Sequence, residues 1–144
     1  MKKPKKCYFL TRAYLDLTPD QHQYLQNKIK TDGMTLREMC KYINDPTTKV
    51  SLTRRKFVGC FSTKRKAIKA IETNESKLCE TNYYNTAIIE RVYQDVASPY
   101  PDKEYWYFMW EEFKSEDKEN KVLNYEYNYV KLPCKLFKGV KCFY

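Results

Sequence analysis

The sequence has 144 residues, of which 42% are hydrophobic and 16% aromatic, and this is too apolar for a chain that stays disordered. The length suits one domain with a real core, and no apolar run approaches the ~20 residues of a membrane span. The basic start Met1–Lys6 is followed by too short an apolar stretch for a secretory signal. We therefore expect a cytoplasmic protein without a membrane partner, folded as a single domain over residues 1–144.

The net charge of +9 is unevenly distributed along the chain. Residues 1–73 hold 17 lysines and arginines against 6 acidic residues, whereas residues 74–144 hold 10 against 12. A basic half of this kind indicates an acidic partner, which is nucleic acid, a ribonucleoprotein or an acidic protein surface. The alternative is an ordinary solvated surface that is rich in lysine.

The first part of the chain predicts one strand and two helices. Cys7–Asp16 reads as a strand that follows a flexible basic N-terminus at residues 1–6. Thr18-Pro19-Asp20-Gln21 is a capping box, which predicts a helix from there to about Lys30. A second box at Thr35–Glu38 begins a helix with apolar residues at helical spacing: Leu36, Met39, Cys40 and Ile43.

These two short helices and the Gly-containing turn between them allow a helix-turn-helix hypothesis. A version that reads DNA needs a third helix, and Thr47–Arg55 is the segment in place to form it. That segment is β-branched and polar and continues directly into an apolar stretch. The competing prediction is two surface helices that cover one side of a sheet.

The segment Arg54–Ile71 predicts a basic strand, a Ser-Thr corner and a basic helix. The strand has apolar residues on both faces, which is typical of a strand covered on both sides. Ser62 or Thr63 can cap the helix by accepting a hydrogen bond from a free backbone N–H. The apolar residues of the helix fall on one face, while its lysines and arginine mostly face away.

Phe57–Ala67, with its Phe-x-x-x-Phe-Ser strand end, turn and Lys-x-Lys-Ala helix, resembles a strand–turn–helix signature of small uncharacterised phage and bacterial proteins. Those proteins also begin with an apolar strand like Cys7–Leu10 after a short basic start. The resemblance covers roughly a fifth of the chain, and Thr18–Thr48 looks like an insertion relative to it. It implies a small α+β fold and a mobile-element origin, and it implies no activity.

The later half predicts three more strands. Tyr83–Val96 and the aromatic stretch Glu104–Phe113 suit neighbouring antiparallel strands, and Val122–Lys131 alternates apolar with polar residues as a half-exposed strand does. Lys114–Lys121 is predicted to be a charged hairpin tip, and residues 135–144 a tail that packs on the body. The expected fold is therefore α+β, mainly an antiparallel sheet of four or five strands with three short helices packed on it.

Reactive constellations are absent from the sequence. The six cysteines (Cys7, Cys40, Cys60, Cys79, Cys134 and Cys142) form no C-x-x-C pair, and we expect reduced, mostly buried thiols. His22 is the sole histidine, so neither zinc nor another metal is expected, and the three glycines form no phosphate loop. No cofactor is expected.

An enzyme remains an alternative that the sequence does not favour. A thiol paired with His22 would be the nucleophile and base, but no spacing places one beside the other. Glu111 and Glu112 are adjacent on a strand, so their carboxylates point to opposite faces.

The predicted function is that of a non-enzymatic phage or mobile-element protein that inhibits a host defence complex, in the manner of an anti-CRISPR protein. It would dock on a nucleic-acid-containing or acidic partner through a basic face: Arg54, Arg55, Lys56, Lys64, Arg65, Lys66 and Lys69. Tyr125, Tyr127 and Tyr129 are candidate aromatic contacts, since exposed tyrosines can stack on single-stranded bases. A free DNA- or RNA-binding protein or regulator is the alternative, followed by a small enzyme.

Overall fold

Five segments with alternating apolar side chains form strands, and these pair in one antiparallel sheet in the order β2–β1–β3–β4–β5. A computed structural model describes residues 5–27, 36–80, 83–93 and 103–133. Three helices pack on the sheet, which confirms the predicted α+β class. In chain order the elements are β1 (Lys6–Asp16), α1 (Pro19–Asn27), α2 (Leu36–Asn44), β2 (Ser51–Phe61), α3 (Lys64–Glu72), β3 (Thr86–Tyr93), β4 (Lys103–Asp117) and β5 (Val122–Lys131).

The sheet is covered on both faces, because apolar side chains of the central strands point both ways. On the α1–α2 face, Leu15, Ile88 and Phe108 pack with residues of the first two helices: Leu25, Cys40 and Ile43. On the α3 face, Leu10, Ile89 and Met109 pack with the third helix: Ala67, Ala70 and Ile71. A sheet with two buried faces needs near-continuous apolar runs, as the central strands have.

Most predicted elements are observed, with changes of extent, among them the start of β3 at Thr86 where Tyr83 was predicted. β5 has its predicted bounds, while β2 begins at Ser51 and β4 continues to Asp117, so the hairpin tip is shorter than Lys114–Lys121. Thr47–Arg55 forms part of a 3₁₀ turn and the start of β2, so this segment does not supply the third helix that a DNA-reading helix-turn-helix needs. The predicted ends near Lys30 and Val96, residues 1–4 and the tail at 135–144 lie outside the described residues.

A buried asparagine joins the three central strands where β3 begins. The Asn85 side chain accepts a hydrogen bond from Leu15 N (2.7 Å) and donates one to Leu15 O (2.9 Å). Its backbone carbonyl accepts from Met109 N at 2.7 Å, and its backbone N–H donates to Ala13 O at 3.1 Å. One polar side chain therefore gives hydrogen-bond partners to both backbone groups of Leu15 in the interior.

The same asparagine contacts His22, which lies on α1 against Phe108. The two bonds to Leu15 set the amide orientation, so Asn85 Nδ2 donates to His22 Nε2 at 3.3 Å. The other ring nitrogen, Nδ1, lies 3.0 Å from Gln26 Nε2. Burial lowers the pKa of His22 below its ordinary value of 6.5.

We predict that His22 makes folding stability fall in mild acid. The unfolded chain binds the imidazole proton first, so the stabilising contribution is complete above pH 6.5 and is lost as pH falls from 6.5 through the lower folded-state pKa. Urea unfolding of the wild type and of His22→Gln across this pH range measures the effect. The free energy of unfolding of the variant should change less with pH in this range. Parallel curves of unfolding free energy against pH for the two proteins would contradict this role of His22.

Candidate macromolecule-binding surface

An extra residue in β2 decides where the Arg-Arg-Lys triplet points. Lys56 pairs with Arg12 and Thr53 with Tyr14, so β2 has one more residue than β1 between these two pairs. Arg54 has a left-handed backbone (φ 54°), the conformation of a β-bulge. The alternation of side chains is therefore shifted by one residue between Leu52 and Lys56, which face opposite sides of the sheet.

The bulge and the register turn Arg54 and Lys56 toward the α3 face. The Arg54 guanidinium lies over the rings of Tyr14 and Tyr83, with its Cζ atom 5.0 and 5.5 Å from their centroids. Lys56 is exposed and shares a sheet face with its cross-strand partner Arg12. Arg12 belongs to the α3 face because it donates to Lys77 O, just beyond that helix.

Helix α3 places three more cations on the same side of the sheet. Thr63 caps the helix, as predicted, by accepting from Lys66 N at 3.2 Å. The helix buries one apolar stripe, which leaves Arg65, Lys66 and Lys69 exposed. Its one acid, Glu72, is 3.4 Å from an Arg65 side chain that is 77% exposed, so the charge of Arg65 is only weakly neutralised. We name a group of five exposed cations on this side the basic surface: Arg54, Lys56, Arg65, Lys66 and Lys69.

Arg55 is separated from this surface and lies in a buried ion pair. Its Nη2 atom is 2.8 Å from Glu90 Oε1, and both side chains are 8% exposed. Glu90 pairs in register with Phe9, and Phe9 packs edge-on against Phe57. This pair joins β2 to β3 across β1, so Arg55 holds the sheet together and does not face a partner.

Lys64 is half-buried and turned toward β4. Its Nζ atom lies 4.4 Å from the centroid of the Tyr105 ring, and Lys131 Nζ lies 5.5 Å from the same ring. Two cations over one tyrosine form a small basic and aromatic site between the start of α3 and the end of β5. Lys64 thus lies beside the basic surface and belongs to this second site.

The three candidate tyrosines of β5 lie at the sheet edge opposite β2 and differ in role. Tyr127 is half-buried and donates its hydroxyl to Ile71 O (2.7 Å) at the end of α3, and burial raises its pKa. Tyr125 and Tyr129 are 50% and 41% exposed. Only these two are presented to solvent, and β1, β3 and β4 separate their strand from β2.

An arginine and its tyrosine neighbour, which the sequence did not single out, anchor the loop that follows α3. The Arg12 guanidinium lies 3.9 Å from the Tyr84 ring centroid and 3.4 Å from Glu80 Oε1. An arginine inside an apolar strand is the signal for such a role, because a buried guanidinium needs partners. Lys77, whose carbonyl accepts from Arg12, is itself exposed on this side.

Several side chains that can serve in catalysis are buried or engaged by neighbouring groups. Cys79 is buried and its pKa is raised to about 12, so its thiol stays protonated at neutral pH. Both ring nitrogens of His22 face amides, and Glu112 accepts from the Trp110 indole at 2.8 Å. Within the four described ranges, no three His, Cys, Asp or Glu side chains cluster as metal ligands, and no helix has the length and apolar character to span a membrane.

Comparison with protein-family models, with curated proteins and with solved structures finds no match to this chain.

We predict that Arg55 is required for stability. Arg55→Met removes the Arg55 guanidinium from the buried Glu90 carboxylate and should lower the free energy of unfolding by about 3–5 kcal/mol. Replacing both partners, as in Arg55→Met with Glu90→Leu, should cost less than the single change. Urea denaturation measures both.

The control is Arg65→Met, which removes the exposed pair to Glu72 and should change stability by less than about 1 kcal/mol. Equal losses for Arg55→Met and Arg65→Met would contradict the structural role of Arg55.

Proposed function

We propose that this chain is a non-enzymatic binding protein that docks on a negatively charged macromolecule through the basic surface. The observation that carries the proposal is the arrangement of Arg54, Lys56 and the exposed cations of α3 on one side of the sheet. Glu72 is the one acid that α3 contributes. A concentration of one charge sign on a rigid scaffold attracts a partner of the opposite sign and speeds its association.

The particular form that we propose is an inhibitor of a host defence complex, carried by a phage or a mobile element in the cytoplasm of its host cell. The partner would be a ribonucleoprotein or an acidic protein surface, as it is for an anti-CRISPR protein that engages a nucleic-acid-containing effector. Three features support this form. They are the small α+β fold, the basic surface and the likeness of Phe57–Ala67 to a phage and bacterial strand–turn–helix signature.

Binding to free DNA or RNA is the second candidate, and one observation favours it. The site at Tyr105, with Lys64 and Lys131 over the ring, combines an aromatic face with cations on the α3 side. Such combinations hold single-stranded nucleic acid by base stacking and phosphate contact. A helix-turn-helix regulator is disfavoured, because Ser51–Phe61 is a strand.

Charge reversal on α3 tests the proposed surface. The double change Lys66→Glu and Lys69→Glu should weaken binding to the physiological partner by roughly a hundredfold, about 2.7 kcal/mol, if each lysine contacts a phosphate or carboxylate. The matched control is Lys118→Glu with Lys121→Glu, which changes charge equally in the exposed β4–β5 turn and should leave binding unchanged. Capture of ribonucleoproteins from host lysate, with and without nuclease, provides the readout.

Titration with labelled DNA and RNA oligonucleotides over a salt series separates the two candidates. Tight binding to naked nucleic acid would favour the free nucleic-acid binder. In that case the slope of the logarithm of the binding constant against the logarithm of the salt concentration should fall in magnitude by about 2 in the α3 variant. Weak binding to oligonucleotides with retained capture of an intact complex would favour the inhibitor. If charge reversal on α3 leaves every partner bound, the basic surface is ordinary solvent surface and the proposal is wrong.

A further inference from the structure

The two edge strands of the sheet differ in how they are protected. β2 departs twice from regular pairing with β1, at Val58 and at the Arg54 bulge, and it exposes the cations Arg54 and Lys56 and contains no acid. Bulges and positive charges are the devices by which edge strands avoid pairing with another chain. The β2 edge is therefore closed to association.

β5 contains no bulge, and no other strand of the described residues pairs with its outer side. Val122–Lys131 pairs with β4 without an extra residue of its own, since the irregularity at Phe113/Ser115 lies in β4. The strand contains neither proline nor glycine, and its two charges, Glu126 and Lys131, cancel. A long, regular and neutral edge of this kind presents its backbone N–H and C=O groups to a further strand.

The β5 edge also exposes apolar side chains on the α3 face. Leu123, Tyr125 and Tyr129 alternate along the strand and are each at least 41% exposed, and Phe113 packs edge-on against Tyr125 at 5.9 Å. An exposed row of large apolar side chains beside open backbone groups is the composition of an interface.

The sequence of β5 indicates which partner fits. Tyrosines alternate with polar residues from Asn124 to Tyr129, so the pattern is the same when the strand is read in reverse. A copy related by a two-fold axis perpendicular to the sheet would run antiparallel to it and keep tyrosine opposite tyrosine on the α3 face. The edge is thus self-complementary.

The charges select one register. If the two-fold axis passed through the pair at Glu126, the Glu126 carboxylates of the two copies would lie opposite each other, which is unfavourable. An axis at Tyr127 pairs Tyr125 with Tyr129 of the second copy and Glu126 with Asn128 of the second copy, whose amide can donate to the carboxylate. This register extends from Leu123 to Lys131 and brings no like charges together.

We propose that the chain forms a two-fold dimer by antiparallel pairing of β5 with β5 of a second copy, centred on Tyr127, to give a continuous ten-stranded sheet. β2 and β5 are opposite edges, so the dimer has one basic surface near each end, and both lie on the same side of the joined sheet. The proposal does not depend on the proposed function. It adds that a partner of the basic surface would meet two copies of it.

Sedimentation equilibrium at near-physiological salt, from about 1 to 100 µM protein, tests the dimer. The wild type should dimerise in this range. In the double variant Tyr125→Lys with Tyr129→Lys, each copy places a lysine opposite a lysine of the other copy at two positions. The dimer dissociation constant should rise by at least about tenfold. Because both side chains are exposed, circular dichroism should show an unchanged fold.

Two further variants test the register and the edge. Tyr125→Glu with Tyr129→Lys places opposite charges across the interface and should retain the dimer. Phe57→Lys makes the same kind of change at an exposed aromatic on β2 and should also retain it. A monomeric wild type, a Tyr125→Lys/Tyr129→Lys variant that dimerises like the wild type, or loss of the dimer in either of the other two variants would overturn the proposal.

Discussion

The bulge at Arg54 is the constraint on which the arrangement of charge in this protein depends. One extra residue in β2, held with a left-handed backbone, shifts the alternation of side chains between Leu52 and Lys56. Arg54 stacks on Tyr14 and Tyr83 on the α3 face, whereas Arg55 is buried with Glu90. A non-glycine residue in this conformation costs about 1 kcal/mol, which these contacts offset. Without the bulge, a strand that keeps Leu52 on the α1–α2 face would turn Arg54 to that face and Arg55 to the α3 face, so neither set of contacts could form.

This division gives the two edges of the sheet different characters. The β2 edge carries the exposed cations Arg54 and Lys56, and helix α3 extends the positive charge on the same side. The β5 edge is neutral and rich in tyrosine, and Tyr127 ties it to the end of α3 through the Ile71 carbonyl. The helix thus links the surface proposed to bind a partner to the strand proposed to bind a second copy.

The sequence predicted the fold well because local signals agreed with the final packing. Several elements are specified by their own residues, independently of what they pack against. Examples are the helix caps at Thr18 and Thr63, the alternation in Val122–Lys131 and the apolar stripe of Lys64–Glu72. The arrangement of the candidate surface was predicted less completely. The positive charge of Arg54–Lys56 is visible in the sequence, but the bulge that buries Arg55 depends on pairing with β1, and Glu90 is 35 residues away. Tyr127 likewise differs from Tyr125 only because α3 reaches it.

Lysine reactivity in the captured complex tests the central claim most directly. Brief acetylation read by mass spectrometry, with the protein alone and bound to its partner, reports which amines the partner covers. The account predicts that Lys56, Lys66 and Lys69, all exposed in the free protein, lose reactivity in the complex, while Lys118 and Lys121 do not. Unchanged reactivity at the first three lysines would contradict a partner bound at the basic surface.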